Sequence, residues 1–252
     1  MQSKCGNIVI VGASSGLGRS VATYYADRGW KVGVCARREE ALKEFADQYD
    51  GNVSWRVLDV TAKDSGERFT DFIRTLGGVD IVLYAAGCGW NNPSLETERD
   101  EKTVGTNVDG FTRIMNAAFE WFAANGAVNF KRPQLCAITS IAGTKGLGVS
   151  TTYSASKGYE NIYIEALAQL ATIRNVKIDF TDIRPGFTDT DLLAGSDHKY
   201  PLLMSVPYAS KRIVRALVKR KKVAYIDWRW HIVVALWRLI PRCLWVKLKI
   251  TN

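Results

Sequence analysis

Short apolar runs alternate along this chain with longer segments whose apolar residues recur at helical spacing. The strand-like runs are residues 8–11, 32–36, 53–58, 81–85, 135–139, 177–182 and 223–226. The segments with helical spacing are residues 17–28, 38–49, 65–76, 102–125 and 152–174. Continuous apolar strands that alternate with helices are typical of a parallel sheet buried on both faces. The pattern therefore predicts a doubly wound α/β fold with about seven strands and helices on both faces.

Length and composition fit one globular domain. The chain has 252 residues, 47% hydrophobic and 23% charged, with no internal repeat and no linker-like stretch. We predict a single α/β domain over residues 1–227, with a loop-rich insertion at 187–206 and an appended tail at 228–252. No run of 18 apolar residues occurs, and the first strand leaves no room for a signal peptide, so a cytoplasmic protein is expected.

The numbers of histidines and cysteines limit the catalytic mechanisms, metal sites and disulfides that this chain could have. Only two histidines occur, His198 and His231, which disfavours any mechanism that needs several imidazoles. The five cysteines are odd in number and widely spaced, and none forms a CxxC pair. A disulfide framework is therefore not expected, no metal site is predicted, and buried reduced thiols are the simpler interpretation.

A glycine-rich loop joins the first strand to the first helix. Glycine permits a tight turn and lets the backbone approach a pyrophosphate, while the helix N-terminus adds partial positive charge. The loop predicts a dinucleotide site formed by Gly12, Ser14, Ser15, Gly16, Leu17 and Gly18. The same letters also fit the G-x-S-x-G elbow of α/β-hydrolases. That interpretation is disfavoured, because the elbow normally lies deep in its chain and needs an acid and then a histidine downstream.

The end of the second strand indicates which dinucleotide binds. Enzymes that prefer NAD place an acid about 20 residues beyond the loop, whereas this chain has Arg37 followed by Arg38. Two guanidinium groups match a ribose 2′-phosphate in charge and geometry, so NADP(H) is the predicted cofactor. Asp59 and Val60 close the third strand and are expected to meet the adenine edge.

Tyr153 and Lys157 begin a long helical segment and, four residues apart, share one helix face. Ser140 ends a strand thirteen residues earlier, and the ligand crevice of a doubly wound fold lies at the carboxyl ends of the strands. With these residues, the chain closely resembles the short-chain dehydrogenase/reductase family over residues 5–227. The matching features, in the family's order, are the glycine loop, Asp59, Ala86 with Gly87, Asn107, Ser140, Tyr153 with Lys157, and Pro185 with Gly186.

The resemblance implies a Rossmann-type fold, a homodimer or homotetramer, and hydride transfer between NADP(H) and a carbonyl or secondary alcohol. Tyr153 would be the general acid in reduction and the base in oxidation. Lys157 would hold the nicotinamide ribose and, with the oxidised nicotinamide, lower the tyrosine pKa from about 10. Ser140 would hydrogen-bond the substrate oxygen, and Asn107 would anchor a water in the proton relay. Further cofactor contacts would come from Ala86, Gly87, Pro185, Gly186 and Thr188.

One position departs from the family pattern, which usually has Asn-Ala-Gly after the fourth strand. This chain has Ala85 in place of the asparagine, which puts in doubt a structural hydrogen bond but not the chemistry. A nucleotide-dependent binding or redox-sensing module with little turnover is the alternative function. The pocket is expected within residues 88–100, 141–152 and 187–206, and its apolar members favour an apolar or lipid-like substrate. Those members are Trp90, Leu147, Phe187, Leu192, Leu193 and Tyr200.

Positive charge is concentrated towards the C-terminal end. Residues 211–252 carry twelve Lys/Arg and one acid, Asp227, a net +11, so the total of +9 leaves −2 for residues 1–210. Half of the eight tryptophans also lie in the tail, namely Trp228, Trp230, Trp237 and Trp245. Tryptophan at headgroup level with basic groups favours peripheral contact with the inner membrane surface. Packing on the protein's own core or on another subunit stays open, whereas no other feature supports nucleic-acid binding.

Overall fold

Seven strands form one parallel sheet in this protein. The computed structural model describes residues 5–191, 193 and 200–250. The strands are β1 (Asn7–Val11), β2 (Lys31–Ala36), β3 (Val53–Val57), β4 (Ile81–Tyr84), β5 (Gln134–Ile138), β6 (Asp179–Pro185) and β7 (Val223–Ile226). Their order across the sheet is β3-β2-β1-β4-β5-β6-β7, so the strand order reverses between β1 and β4. This confirms the predicted doubly wound sheet and makes the carboxyl ends of β1 and β4 its topological switch point.

Helices cover both faces of the sheet. They are α1 (Gly16–Ala26), α2 (Glu39–Ala46), α3 (Ser65–Thr75), α4 (Thr97–Val104), α5 (Phe111–Asn125), α6 (Thr151–Ile173), α7 (Val206–Val218), α8 (Trp228–Leu239) and α9 (Arg242–Trp245). A π-helical turn, Gly105–Gly110, separates α4 from α5. Two 3₁₀ turns, Ile141–Thr144 and Gly148–Ser150, connect β5 to α6.

The strand alternation divides the core into two layers. Ile8 and Ile10 of β1 join a cluster with α1, α2, α7 and α8. Val9 and Val11 of the same strand join the cluster on the other face, with α3, α5 and α6. All four side chains are buried, which explains why the central strands read as continuous apolar runs.

Three sequence predictions need correction. Residues 102–125 were predicted as one helix, but the π-helical turn divides them. The sixth strand extends past the predicted 177–182 because its ladder with β7 continues until Pro185 pairs with Ile226. Residues 206–218, for which no helix was predicted, form α7 and bury one apolar face against the sheet.

The cysteines and the membrane expectation can also be compared with the structure. Cys35 and Cys136 are buried in strands, but Cys5 and Cys243 are exposed, so the prediction of buried thiols is wrong for the latter two. Within the described ranges, no helix is long and apolar enough to cross a membrane.

Candidate active site

The glycine loop, residues 12–18, lies between β1 and α1 at the switch point of the sheet. Gly12 has a φ of +92°, and a Cβ there would lie 2.3 Å from the backbone nitrogen of Ala86. A Cβ on Gly18 would lie 2.2 Å from the carbonyl oxygen of Gly12. Gly16 and Leu17 form the first turn of α1, where helical N–H groups have no partner within the helix. Only glycine therefore fits at two loop positions, as a backbone-lined nucleotide cradle requires.

Arg38 lies over this loop. Its guanidinium donates to the Ser14 hydroxyl at 3.0 and 3.1 Å and to the Ser15 hydroxyl at 2.7 Å. The Asp191 carboxylate lies 3.9 Å away. Arg37 is exposed directly after β2. The structure thus places Arg37 and Arg38 at the same edge as the loop, and the serine hydroxyls do not form the catalytic set of a hydrolase.

Asp59 and Val60 follow β3, which ends at Val57, one residue before the end of the predicted run 53–58. The Asp59 carboxylate accepts hydrogen bonds from the backbone and the hydroxyl of Thr61, at 2.9 and 2.8 Å. Val60 is buried, and a Cβ on Gly110 would lie 2.6 Å from its side chain. Both residues therefore lie in a turn at the carboxyl edge of the sheet.

Ala85, Ala86 and Gly87 leave β4 beside the glycine loop. The backbone nitrogen of Ala85 donates to the carbonyl oxygen of Val11 at 2.7 Å, which ties β4 to β1 through the main chain. A Cβ on Gly87 would lie 3.3 Å from Lys157 Nζ and 3.4 Å from Asn107 Oδ1. Gly87 therefore brings bare backbone close to two of the predicted catalytic side chains.

Asn107 lies in the π-helical turn and is fully buried. Its amide donates to the carbonyl oxygen of Cys88 at 2.8 Å and to the Ser156 hydroxyl at 3.0 Å. Its carbonyl oxygen accepts from the backbone nitrogen of Cys88 at 3.0 Å. The side chain thus ties the segment after β4 to α6, and its role in a water relay stays a prediction.

Ser140 and Tyr153 are brought together across the connection from β5 to α6. Ser140 follows β5 by two residues, and its hydroxyl accepts from the Ala142 backbone at 3.0 Å. Burial raises the pKa of Tyr153, and the charge of Lys157 and a hydrogen bond from Ser140 oppose that rise without cancelling it. Lys157 therefore acts in the expected direction, and the combined effect of Lys157 and an oxidised nicotinamide on this pKa stays a prediction.

Lys157 is buried one helical turn after Tyr153, with its Nζ 5.9 Å from the centroid of the phenol ring. Its ammonium donates to both carboxylate oxygens of Glu160 at 2.8 Å. Burial lowers the pKa of Lys157, but Glu160 together with Tyr153 and Cys88 outweighs burial, and the net shift is upward. The sequence reasoning missed Glu160, because its place three residues after a lysine is ordinary for an exposed helical ion pair.

Pro185, Gly186 and Thr188 lie at the carboxyl end of β6. Pro185 is the last residue of that strand, whereas it was predicted to lie beyond the strand end at residue 182. The backbone nitrogen of Gly186 donates to Ile226 at 2.9 Å. Thr188 is buried, and its hydroxyl donates to the carbonyl oxygen of Gly186 at 3.2 Å. These residues form the side of the site opposite the glycine loop.

The C-terminal cover, residues 228–250, packs on this side of the site. Trp237 Nε1 donates to the Thr144 hydroxyl at 3.0 Å, and Trp245 Nε1 donates to the Gly146 carbonyl at 2.7 Å. A Cβ on Gly186 would lie 2.1 Å from Trp230 Nε1. The tryptophans were noticed in the sequence, but their contacts with the segment after Ser140 were not predicted.

The predicted pocket lining is only partly described. Phe187 and Tyr200 have ring centroids 4.7 Å apart, and Phe187 and Trp230 have centroids 5.6 Å apart. Trp90 is 41% exposed. Leu192 and His198 lie outside the described residues. Aromatic side chains therefore cluster beside Gly186.

Comparisons with known proteins identify the family. The family model described as "short chain dehydrogenase" matches residues 6–201. The chain belongs to the short-chain dehydrogenase family. An uncharacterized oxidoreductase of Myxococcus xanthus is 31% identical to this short-chain dehydrogenase over 242 residues, which cover 94% of this chain and 93% of the relative. The protein is therefore an oxidoreductase of this family, as the ordered motifs predicted.

Solved structures show the same fold. A short-chain dehydrogenase from Burkholderia cenocepacia in complex with NADP has a TM-score of 0.82 at 19% identity, with 100% of each chain covered. A 3-ketoacyl-(acyl-carrier-protein) reductase from Brucella melitensis complexed with NADH has a TM-score of 0.75 at 21% identity. That match covers 89% of this short-chain dehydrogenase and 97% of the other chain.

Proposed function

We propose that this short-chain dehydrogenase transfers a hydride between NADP(H) and a carbonyl or secondary alcohol, with Tyr153 exchanging the proton at oxygen. The observation that carries the proposal is the cluster of buried Ser140, half-buried Tyr153 and buried Lys157 beside the bare backbone of Gly87. NADPH bound along the glycine loop supplies the hydride. Carbonyl reduction also needs a proton at oxygen, and a half-buried phenol beside an ammonium is suited to supply it.

Each catalytic side chain has its own part in this proposal. Tyr153 donates its hydroxyl proton to the carbonyl oxygen during reduction and takes that proton back during oxidation. The Ser140 hydroxyl donates to the same oxygen and stabilises the negative charge that develops there. Lys157 holds the nicotinamide ribose, and Asn107 anchors a water that connects the ammonium to solvent.

The proposed nucleotide is NADP(H). The bare backbone of Gly12 and Gly18 fits a pyrophosphate, and Arg38 lies over the loop while Arg37 is exposed beside it. Two guanidinium groups at this edge suit a 2′-phosphate. The related structures contain NADP in one case and NADH in the other. The two arginines are therefore the reason for proposing NADP(H) rather than NAD(H). The other proposed contacts are Ser14, Ser15, Gly16, Leu17, Asp59, Val60, Ala86, Gly87, Tyr153, Lys157, Pro185, Gly186 and Thr188.

Charge reversal at Arg37 tests the nucleotide. Arg37→Asp should weaken NADPH binding at least tenfold, about 1.4 kcal/mol, and leave NADH binding nearly unchanged. Lys43→Asp on α2 is the matched control, because it makes the same change of charge on an exposed helix. Equal Kd ratios for NADPH and NADH in both variants would contradict the proposed preference.

Tyr153→Phe tests the reaction. The variant should lose about 10³-fold in turnover because it lacks the exchangeable proton, and it should keep the wild-type Kd for NADPH. Tyr159→Phe removes a hydroxyl from the same helix outside the cluster and serves as the control. NADPH oxidation is followed with a panel of ketones and aldehydes. Unaltered rates in Tyr153→Phe would refute the mechanism, and nucleotide binding by an inactive wild type would favour the redox-sensing alternative.

The proposed substrate is apolar or lipid-like. Phe187 and Tyr200 are half-buried aromatic side chains next to Gly186, packed in line with the buried Trp230, and apolar surface is buried favourably against an alkyl chain. Activity should therefore rise with chain length in a series of aliphatic ketones. A preference for the smallest, most polar carbonyl compounds would contradict this assignment.

We also propose peripheral contact between the C-terminal cover and the inner, anionic membrane surface of a cytoplasmic enzyme. Trp230 and Val234 of α8 are buried in the core, whereas Trp228 and Leu239 are 66% and 78% exposed. Ile232 and Leu236 are exposed with them, at helical spacing. The helix is thus apolar on its outer face as well as on its buried face. We keep, as a proposal, the boundary between the catalytic domain, residues 1–227, and the tail, residues 228–252.

Charge favours a lipid surface over a second copy of the chain as the occupant of this outer face. Arg238, Arg242, Lys247 and Lys249 are exposed, and no ion pair to an acid is found for them within the described ranges. A second copy packed face to face would bring these cations together, whereas anionic headgroups attract them. Exposed tryptophan suits the headgroup level.

Vesicle binding by the full chain tests this contact. Trp228→Ser with Leu239→Ser should bind vesicles of phosphatidylglycerol and phosphatidylcholine at least tenfold more weakly than the wild type, about 1.4 kcal/mol. Val218→Ser is the control, because it replaces an exposed apolar side chain at the end of α7, outside the C-terminal cover. Pure phosphatidylcholine should bind less than the anionic mixture. Equal sedimentation of wild type and double variant would refute the membrane contact.

A homodimer or homotetramer is proposed through another surface. Ile162, Leu170 and Ile173 leave apolar surface exposed on α6. The same face is joined to α5 by the paired Arg174 and Glu120, which holds the two helices as one surface. Light scattering after gel filtration should give a multiple of the chain mass. Ile173→Asp should reduce that mass, and an unchanged assembly would place the interface elsewhere.

A further inference from the structure

Glu160 is a buried carboxylate in direct contact with Lys157, the ammonium beside the proposed proton donor Tyr153. It lies on α6, one turn after Lys157, and its side chain is fully buried. Within the part of the chain that the structure describes, both hydrogen bonds of the Lys157 ammonium go to the two oxygens of this carboxylate, each at 2.8 Å. A buried carboxylate is costly unless it is paired, so the contact constrains both side chains.

Glu160 is surrounded by one cation, Lys157, and by groups that are acidic or become anionic when they lose a proton. Burial, with a smaller contribution from the charge of Asp182, raises its pKa to about 7 against the opposing effect of Lys157. The titratable groups that face it are Lys157 and Tyr153 on α6, Tyr84 on β4, Cys88 after β4 and Asp182 on β6. Asp182 itself is paired with Arg184 and accepts from Thr139. Lys157 is thus the cation in direct contact with the carboxylate.

We propose that Glu160 is a positioning residue that holds the Lys157 ammonium and sets how readily Tyr153 releases its proton. The inference rests on the proposed role of Tyr153. An ionised Glu160 neutralises much of the positive charge that would favour the phenolate. A protonated Glu160 leaves that positive charge uncompensated, and the effect is strong because the pair is shielded from water.

The structure supports both parts of this coupling. The charge of Lys157 favours the ionised form of Tyr153, and the charge of Glu160 opposes it. Gly87 adds no side chain of its own next to the ammonium, since a Cβ there would lie 3.3 Å from Nζ and 3.4 Å from Asn107 Oδ1. The Glu160 carboxylate is therefore the group that fixes the ammonium by direct hydrogen bonds.

Alcohol oxidation as a function of pH tests the proposal, because its ascending limb reports the loss of the Tyr153 proton. Glu160→Gln keeps the size of the side chain and removes its charge. The limb should move towards lower pH by about one unit. Glu160→Asp keeps the charge and should leave the limb within a few tenths of a unit, as a conservative rescue. If Glu160→Gln does not fold, Glu160→Met provides the same neutral length.

A second measurement follows the phenol directly. Phenolate absorbance is titrated in each Glu160 variant against the same protein carrying Tyr153→Phe, so that only this tyrosine contributes. The phenolate should form at lower pH in the neutral variants. A variant with reduced rates but an unmoved limb and an unmoved phenolate titration would overturn the proposal and leave Glu160 a packing role. Activity in Tyr153→Phe itself would instead refute the proposed function, so the two failures are distinguishable.

Discussion

The glycine loop and the C-terminal cover border the same site, but they are built in different ways. In the loop, backbone meets backbone, since a Cβ on Gly12 would lie 2.3 Å from the nitrogen of Ala86. In the cover, indole side chains reach the site, as when Trp237 donates to Thr144. The comparison predicts that the loop determines nucleotide binding, whereas the cover determines stability and the substrate side.

Gly12→Ala is expected to have the largest effect. The residue combines a positive φ with backbone atoms that cannot move aside, so the loop must distort. NADPH affinity should fall about 10³-fold, or ~4 kcal/mol. Fluorescence titration measures it, with Gly148→Ala as the control because a Cβ there meets nothing within 4 Å. Equal NADPH affinities in the two variants would contradict the prediction that the glycine loop determines nucleotide binding.

Trp230→Ala should reverse the pattern, with a large loss of stability and little change in NADPH affinity. The side chain is buried in the core and packs against Gly186. The free energy of unfolding should fall by about 3 kcal/mol, measured by urea denaturation. Trp228→Ala is a matched control on the outer face of the same helix, and its cost should stay below about 0.5 kcal/mol. Similar losses in both would mean that the cover is not anchored through its inner face.

Trp237→Phe removes one hydrogen bond to the segment after Ser140. The loss of the indole donor to Thr144 should cost about 1 kcal/mol of stability. KM for long-chain ketones should rise severalfold while the Kd for NADPH stays constant. Trp121→Phe on α5 is the control, because it lies away from the site. A change in NADPH affinity instead of KM would contradict the assignment of the cover to the substrate side.

Asp227→Asn should give the smallest effect, and a pH-dependent one. Burial raises the pKa of Asp227, but hydrogen bonds from Tyr208 and Arg229 outweigh burial and hold it at about 2. A depressed pKa contributes stability above the ordinary value of 3.8, and the contribution is lost as pH falls towards 2. The wild type should exceed the variant by about 1 kcal/mol at neutral pH. Urea denaturation should show that advantage shrinking on acidification, and a constant difference would exclude this origin.

The fold and the nucleotide side could be predicted from sequence because their rules are local. Continuous apolar runs indicate buried parallel strands, and the requirement for glycine at Gly12 and Gly18 follows from backbone geometry alone. Tyr153 and Lys157 were recognised from their spacing and from their order relative to Ser140. These features need no knowledge of which distant residues pack together.

The remainder depends on tertiary packing. The spacing of Glu160 and Lys157 is the same on an exposed helix as in a buried cluster, and only packing against β4 and β6 removes the pair from water. The tryptophans of the cover lie on both faces of α8, so the pattern did not indicate which face is buried. The π-helical turn likewise interrupts a segment whose apolar spacing reads as one helix.

The order of these regions along the chain has a consequence for biosynthesis. Synthesis proceeds from the amino end, so the glycine loop and β4 are available for folding long before Trp237 and Trp245 leave the ribosome. The contacts of Trp237 with Thr144 and of Trp245 with Gly146 can therefore form only after the rest of the domain has been synthesised.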